Sequence, residues 1–140
     1  MIENKLWKKL FKLAEKSLQN DEFPVSAIIF DESGIISCGY NKRNASKKTT
    51  DHAEIIAIEK ANRKLKEWNL QNKCMLITLE PCDMCKAVIK EARLKNIYYL
   101  VPRYTYKKQY KCSNFETVVF EGPEKEKYMK DIQTFFKDKR

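Results

Sequence analysis

Two short segments of the chain carry residues that could hold a metal ion. His52 and Glu54 are separated by one residue, and Cys82 and Cys85 follow Pro81 with two residues between them. Zinc accepts one imidazole and two thiolates, and three protein ligands leave its fourth position open for water. The carboxylate of Glu54 is a candidate general base for that water. The 140-residue sequence has one histidine, so a site of this kind depends on it.

The spacing of these residues restricts where they can lie. Inside a regular helix, side chains two residues apart diverge by about 200°. His52 and Glu54 can therefore face one ion only at the start of a helix, and the preceding residues 49–51 are good capping residues. Cys82 and Cys85 are predicted to flank the first turn of another helix, where the helix N-terminus favours thiolates.

Each of these residues also has a simpler interpretation. The C-x-x-C pair could be a redox pair, or half of a structural zinc site with Cys38, Cys74 or Cys112 as a further ligand. Glu54 could be the third-position acid of a capping box that Asp51 begins. A single histidine is often an ordinary one. If the chain had no catalytic zinc site, all of these simpler interpretations would have to be true together. We therefore favour the catalytic zinc site.

The elements that must position these residues follow from hydrophobic periodicity. The predicted helices are 3–19, 52–66, 83–93 and a last one that Pro123 opens; the predicted strands are 23–30, 35–40, 75–79, 96–101 and 115–121. This alternation predicts one α/β domain over residues 1–140, a three-layer α/β/α sandwich around a central five-stranded mixed sheet. Residues 41–51 are predicted to form a loop. The structure of 102–114 and the direction of the last strand stay open.

Composition limits the cellular setting and the partners. The net charge is +9, which favours a polyanion such as nucleic acid, although 23 lysines against 5 arginines could also reflect a lysine-rich host. Five cysteines, two of them spaced as ligands, indicate a reducing cytoplasm rather than a disulfide framework. No apolar run approaches the ~20 residues that span a bilayer. The acidic Glu3 and the lack of an apolar stretch argue against a secretory signal.

The motifs and their flanking residues resemble a known family. The H-x-E and P-C-x-x-C pair is the signature of the zinc-dependent cytidine deaminase-like superfamily. Residues 22–27 resemble the E-x-P-V-G-A segment of bacterial tRNA adenosine deaminases, and 39–43 resemble their G-x-N-x-R stretch. Residues 79–85 match L-E-P-C-x-M-C, and 135–140 are similar to a terminal F-F-R-x-x-R. The similarity spans almost the whole chain.

The resemblance implies a site and a reaction. His52, Cys82 and Cys85 would bind one zinc ion, and Glu54 would act as general base and then as general acid in the conversion of adenosine to inosine at the tRNA wobble position. Residues implied to contact the substrate are Val25, Ala27, Asn41, Pro81, Arg103 and Tyr104. Asn41 could instead be a turn residue, and the strand residues among these could be plain core.

The resemblance also implies a homodimer formed through the helix at 52–66. That helix is apolar on more than one face, which exceeds what packing on one side of a sheet requires. Burial beneath neighbouring helices of the same chain is the alternative. The apolar residues concerned are Ala53, Ile55, Ile56, Ala57, Ile58 and Ala61.

The chain departs from this family at three places. Asp51 stands where relatives carry a small residue, and Ser26 replaces a glycine and is expected to narrow the floor beside the base. The segment 102–114 is shorter than in relatives and alternates tyrosines with cations, which suits stacking on splayed RNA bases. A solvated surface loop is the alternative. The candidate RNA contacts are Lys42, Arg43, Lys107, Lys108 and Lys111.

Three classes of function are consistent with this sequence. The first is a tRNA wobble-adenosine deaminase, which the net charge and the L-E-P-C-x-M-C context favour. The second is a deaminase of a free base, nucleoside or nucleotide, such as cytidine, deoxycytidylate or guanine. The third is a non-catalytic zinc module in a deaminase complex, against which Glu54 argues because an inert module needs no proton shuttle.

Overall fold

The computed structural model describes residues 2–102, 114–118, 120 and 122–138 of the chain. The strands are β1 (Ser26–Asp31), β2 (Gly34–Tyr40), β3 (Cys74–Leu79), β4 (Asn96–Val101) and β5 (Phe115–Thr117). The helices are α1 (Asn4–Gln19), α2 (Arg43–Ser46), α3 (Ala53–Leu65), α4 (Asp83–Ala92) and α5 (Pro123–Asp138). No helix in the described part of the chain is long and apolar enough to cross a membrane.

The five strands form one mixed sheet in the order β2-β1-β3-β4-β5. β1 is antiparallel to both β2 and β3, whereas β4 runs parallel to both β3 and β5. The predicted five-stranded mixed sheet is therefore confirmed. The direction of the last strand, which the sequence left open, is parallel to β4, with Phe115 opposite Ile97.

Helices cover both faces of this sheet. Ala27 and Ile29 of β1 pack in one core with residues of α3 and α4. Ile28, which points to the other face, packs with α1 and with Tyr128 of α5. Because side chains alternate along a strand, the central strands contribute to both cores and form the middle layer. The three-layer α/β/α sandwich is confirmed.

Three features differ from the sequence prediction by more than a single residue at the end of an element. β1 begins at Ser26 rather than Phe23, because Pro24 has no N–H to donate and the N–H of Val25 binds the carbonyl of Phe23 in a tight turn (2.9 Å). β5 ends at Thr117 rather than at residue 121. The N–H of the next residue, Val118, donates to the carbonyl of Tyr99 in β4 (2.9 Å). The short helix α2 lies inside the predicted loop 41–51.

The apolar residues of α3 are covered within the chain. All six that suggested a second apolar face are at most 8% exposed. The alternative interpretation, burial beneath neighbouring elements, therefore accounts for them, and this helix face gives no argument for a dimer. Among the described residues, the large apolar side chains that stay exposed are Leu65 and Trp68, at 39% and 59%.

Gly39 allows α3 to lie directly against β2. A Cβ at this position would lie 2.9 Å from the Ala57 nitrogen and 3.2 Å from the Ile56 Cβ, and would also meet the carbonyl oxygen of Ala53. We expect Gly39→Ala to lower the free energy of unfolding by about 1–3 kcal/mol, because backbone atoms would have to move. Urea denaturation measures this change.

The matched control for that substitution is Cys38→Ala, next to Gly39 in β2 and half-buried. It removes atoms and forces no backbone movement. A Gly39→Ala protein within about 0.5 kcal/mol of the wild type would contradict the close approach of the two elements.

Candidate active site

The two ligand segments are the starts of two helices on the same face of the sheet. His52 is the N-cap residue of α3 and has an extended backbone (φ −79°, ψ 152°). Cys82 is the N-cap residue of α4 with a similar conformation (φ −70°, ψ 170°). Neither side chain makes a capping hydrogen bond to its own helix, so both side chains remain available as ligands.

The three donor atoms converge on one point. Nδ1 of His52 lies 3.4 Å from Sγ of Cys85 and 3.7 Å from Sγ of Cys82. All three donor atoms lie within 4.8 Å of one another. A tetrahedral zinc ion, with bonds of ~2.3 Å to sulfur and ~2.0 Å to nitrogen, separates such atoms by about 3.5 Å. The donor set therefore fits zinc in both chemistry and spacing.

The pKa values of the two ligand thiols are shifted in opposite directions. A hydrogen bond from Cys85 is the main cause that lowers the pKa of Cys82 to about 3. The same bond, together with burial, raises the pKa of Cys85 well above its ordinary value. Both sulfurs bind a metal ion as thiolates, so zinc binding is expected to release a proton and to weaken as the pH falls.

Glu54 lies in the first turn of α3 and is 3% exposed. Burial is the largest cause that raises its pKa above the ordinary value, and nearby Cys82 acts in the same direction. A carboxyl group with a raised pKa is suited to take up and return a proton near neutral pH. The capping-box alternative does not hold, because the helix starts after His52 and Asp51 is not its N-cap residue.

The other cysteines of the described chain stand apart from this cluster. Cys38 lies in β2 and Cys74 begins β3, at the far end of the strand from Cys82. Both are half-buried and free. Cys112 lies outside the described residues. Among the residues that the structure describes, the metal-ligating group has three members, which leaves a fourth position for water, as in catalytic zinc sites.

A cavity of about 290 Å³ opens beside Glu54 and His52. It is close to the lower end of the range of ~300–1,000 Å³ for small-molecule sites, which suits a single base. The rings of Phe23 and Phe135 meet edge to face, with centroids 5.5 Å apart and planes at 83°. The described residues that line the cavity are Phe23, Val25, Asn41, Arg43, His52, Ala53, Glu54 and Phe135.

Some of the predicted substrate contacts line the cavity, and others do not or lie outside the described residues. Val25 and Asn41 line the cavity, as expected. Ala27 and Pro81 are buried and are not among the described lining residues, so Ala27 fits its alternative interpretation as strand core. Arg103 and Tyr104, like the candidate RNA contacts Lys107, Lys108 and Lys111, lie outside the described residues.

Ser26 does not narrow the floor of the cavity, contrary to the sequence expectation. Its Oγ donates a hydrogen bond to the carbonyl of Leu10 in α1 (2.6 Å), on the opposite face of the sheet. Its N–H donates to Oγ1 of Thr78 in β3 (3.2 Å). The strand alternation directs this side chain away from the site, where it joins α1 to the sheet.

The side-chain amide of Asn41 already has two partners. Its Nδ2 donates to the carbonyl of Phe23 (3.2 Å), and its Oδ1 accepts the N–H of Arg43 (3.1 Å). The second bond closes an Asx turn, so Asn41 is a turn residue as well as a lining residue of the cavity. One N–H and one lone pair remain free to meet a ligand in the cavity.

Sequence reasoning missed two aromatic walls of the site. Phe23 was assigned to a strand and Phe135 to the buried face of the last helix, because an apolar residue at a regular spacing is most simply explained by the core. Both lie in segments that resemble the family, and that was the available signal. Of the candidate RNA contacts, Arg43 lines the cavity and is exposed. Lys42 is not among the described lining residues, and its Nζ lies 4.7 Å from the ring centroid of Tyr40.

A buried ion pair holds the cysteine segment in place. Nζ of Lys86 lies 2.8 Å from a carboxylate oxygen of Glu80, and the two side chains are 4% and 14% exposed. The pair joins the first turn of α4 to the residue that follows β3, on either side of Cys82. The N–H of Lys86 also binds the carbonyl of Cys82 (2.9 Å). No periodicity in the sequence pointed to this contact.

Comparison with known proteins agrees with the fold and with the donor set. Residues 2–101 match the family model described as the cytidine and deoxycytidylate deaminase zinc-binding region. The chain therefore belongs to this family of zinc-binding deaminase domains. Zinc is the cofactor, since the family region is zinc-binding and the donors of His52, Cys82 and Cys85 have the spacing that zinc requires.

Two relatives in the family show which of its members the chain resembles. The tRNA-specific adenosine deaminase of Streptococcus pyogenes serotype M18 is 40% identical over 88 residues, 63% of this chain and 55% of that protein. The chain thus spans about half the length of the curated relatives that it matches first. The tRNA-specific adenosine deaminase of Buchnera aphidicola subsp. Schizaphis graminum is 33% identical over 146 residues, 96% of this chain and 94% of that one.

A solved structure shows the same fold over most of the chain. It comes from studies of A-to-I editing by tRNA:A34 deaminases at the wobble position. It has a TM-score of 0.78 at 21% identity and covers 92% of this chain and 99% of that one. At this identity the likeness establishes the fold.

Proposed function

We propose that this protein is a hydrolytic deaminase that converts adenosine to inosine at the wobble position of a tRNA anticodon. The observation that carries the chemistry is one cluster: His52, Cys82 and Cys85 as zinc ligands, with buried Glu54 and a base-sized cavity beside them. The choice of adenosine in tRNA is supported by the similarity to tRNA-specific adenosine deaminases over nearly the whole chain.

The proposed reaction assigns one group to each step. A zinc ion held by His52, Cys82 and Cys85 would supply the Lewis acid that makes water a nucleophile near neutral pH. Glu54 accepts the proton that this water loses on attacking C6 and delivers it to the neighbouring ring nitrogen. Glu54 then transfers a second proton, from the added hydroxyl, to the amino group. Ammonia leaves, so adenosine and water become inosine and ammonia.

The cavity suits a base that has left its stack. A duplex or loop base must be extruded before an enclosed site can act on it. Val25 and the two phenylalanines offer apolar surface to such a base, and Asn41 offers its free N–H and lone pair. Arg43, at the mouth, is placed to meet the phosphates that stay outside.

One experiment separates the three classes of function. The zinc-loaded protein is incubated with an anticodon stem-loop that carries a wobble adenosine, and in parallel with free cytidine, deoxycytidylate and guanine. Inosine in the stem-loop alone is the expected result, and a stem-loop with its adenosine moved into the stem is the matched control. Ammonia from a free compound alone would select the second class. No product in any reaction would select the non-catalytic module.

The lysines of the segment 102–114 are proposed to contact RNA. We expect charge reversal at Lys107, Lys108 and Lys111 to weaken binding of the stem-loop and to reduce the slope of log K against log salt by roughly 2. Fluorescence anisotropy over a series of salt concentrations measures both quantities.

A control with the same change in net charge isolates the position of the lysines. Lys66, Lys90 and Lys95 are exposed and lie at the opposite end of the sheet from the cavity. Reversing these three is expected to alter binding far less. Equal losses for the two triple variants would show that total charge, and not this segment, attracts RNA.

We also propose that the chain is a single domain and that the protein acts in the cytoplasm.

We further propose that the protein is a homodimer. Leu65 and Trp68 supply exposed apolar surface at the end of α3, and the guanidinium of Arg93 lies 5.2 Å from the ring centroid of Trp68. Sedimentation equilibrium is expected to give a dimer for the wild type and for Trp68→Phe, and a monomer for Trp68→Lys. A monomeric wild type would contradict the proposal.

A further inference from the structure

A buried carboxylate lies behind the wall of the cavity. Glu22, between α1 and β1, is 1% exposed. One of its oxygens accepts the N–H of Asn44 (3.0 Å) and the other accepts the N–H of Ala45 (2.8 Å). Each oxygen thus satisfies one backbone donor in a segment more than twenty residues further along the chain.

Those two donors belong to the first turn of α2, which has four residues. A helix this short is not stable on its own, because nucleation is unfavourable. Its own N-cap residue, Lys42, makes no side-chain capping bond. Glu22 therefore supplies the cap from a distant segment, and a charged acceptor makes this bond stronger than a neutral one would.

The position of Glu22 is itself determined by the end of α1. Asp21 adopts a left-handed conformation (φ 58°), and the N–H of Glu22 binds the carbonyl of Ser17 (2.9 Å). The Oγ of Ser17, which is fully buried, donates to the carbonyl of Asn41 (3.1 Å). Both ends of the contact are therefore held against the body of the domain.

The segment that Glu22 holds carries two residues of the cavity wall, Asn41 and Arg43. The two residues are linked, since the backbone N–H of Arg43 donates to the side-chain Oδ1 of Asn41. Residues 44–50 that follow are exposed and have no core of their own. If the hydrogen bonds from Asn44 and Ala45 to Glu22 were lost, the part of the cavity wall formed by Asn41 and Arg43 would therefore be held less firmly.

We propose that Glu22 is a positioning residue that makes the site select a base carried in RNA over a free base. This inference rests on the proposed function. Glu22 holds residues 41–46 so that Arg43 stands at the mouth, where the phosphates of an extruded nucleotide lie and where a free base has no charge to offer. Glu22 itself is not among the described residues that line the cavity.

The test compares Glu22→Ala and Glu22→Gln with the wild type in the zinc-loaded protein. Loss of bonds to a charged acceptor is expected to raise both KM and Kd for the stem-loop roughly tenfold in Glu22→Ala. Glu22→Gln keeps one acceptor oxygen and is expected to fall in between. The values of kcat and zinc content are expected to stay close to wild type. The same is expected of the matched control Glu59→Gln, which changes an exposed glutamate of α3.

Two further readouts distinguish positioning from general damage. In an Arg43→Ala background, the effect of Glu22→Ala on Kd is expected to vanish, because the group that it positions is gone. Hydrogen exchange of peptides covering 41–50 is expected to be faster in Glu22→Ala, with unchanged exchange in β3. Should Glu22→Ala fail to fold, Ala45→Pro removes one donor of the same contact from the exposed side.

The outcome is independent of whether the stem-loop is a substrate. Binding and hydrogen exchange need no turnover, so a wild type that binds the stem-loop without making inosine would refute the proposed function alone. Wild-type Kd in both Glu22→Ala and Ala45→Pro, or additive effects of Glu22→Ala and Arg43→Ala, would overturn the role of Glu22.

Discussion

Glu54→Gln is expected to retain its zinc and to lose deaminase turnover. Glutamine has nearly the volume of glutamate and fits the same buried space, but its amide cannot accept the proton of the attacking water. Proton transfer by a positioned side chain contributes about 10²–10⁴-fold to a rate, so kcat is expected to fall by at least that much. Inosine formation measures kcat, and atomic emission measures zinc.

The control for this substitution is Glu59→Gln, at an exposed glutamate five residues further along α3. It changes net charge by the same amount and is expected to leave kcat unchanged. The thermal unfolding midpoint of Glu54→Gln should be no lower than that of the wild type, since burial disfavours the charged form of Glu54. A Glu54→Gln protein with kcat within tenfold of wild type would refute the proton-transfer role.

Cys85→Ser is expected to lose zinc. Changes to groups that only support a metal ligand lower metal affinity ~10–100-fold, so loss of a ligand itself should exceed that range. The side chain is fully buried, and its Sγ lies 3.4 Å from Nδ1 of His52. Zinc affinity is measured by competition with a chelator. The unfolding midpoint should fall as well, because an ion that binds the native state stabilises it.

Cys38→Ser is the matched control for the loss of zinc, since Cys38 is a free, half-buried cysteine of β2 outside the ligand cluster. It is expected to keep full zinc content. Zinc at wild-type affinity in Cys85→Ser, or its loss from Cys38→Ser, would place the metal elsewhere in the chain.

The local parts of the site could be predicted from the sequence because they depend on neighbours along the chain. Ligand chemistry and spacing identified His52, Cys82 and Cys85, and the two-residue offset of Glu54 already required the start of a helix. The structure confirms that arrangement, with His52 as an N-cap residue. The class of fold followed in the same way, from the alternation of helices and strands.

Two expectations that the structure corrects concern contacts between distant segments. Ser26 was expected beside the base, yet its hydroxyl binds the carbonyl of Leu10 on the other face of the sheet. The apolar residues of α3 suggested a second chain, yet their own chain covers them. In both cases the sequence indicated that the side chain needs a partner. It did not indicate which segment supplies that partner, because the two segments are far apart along the chain.

The sequence by itself therefore determined the type of fold and predicted a zinc site with three candidate ligands and an adjacent acid, since each of these depends on short-range spacing and periodicity. Only the tertiary structure decided the cavity around them. Phe23 and Phe135 meet across more than a hundred residues of chain, and Glu22 caps a helix that begins at Arg43. Such contacts depend on how the layers pack and on which face of a strand each side chain occupies, and these follow from the whole fold at once.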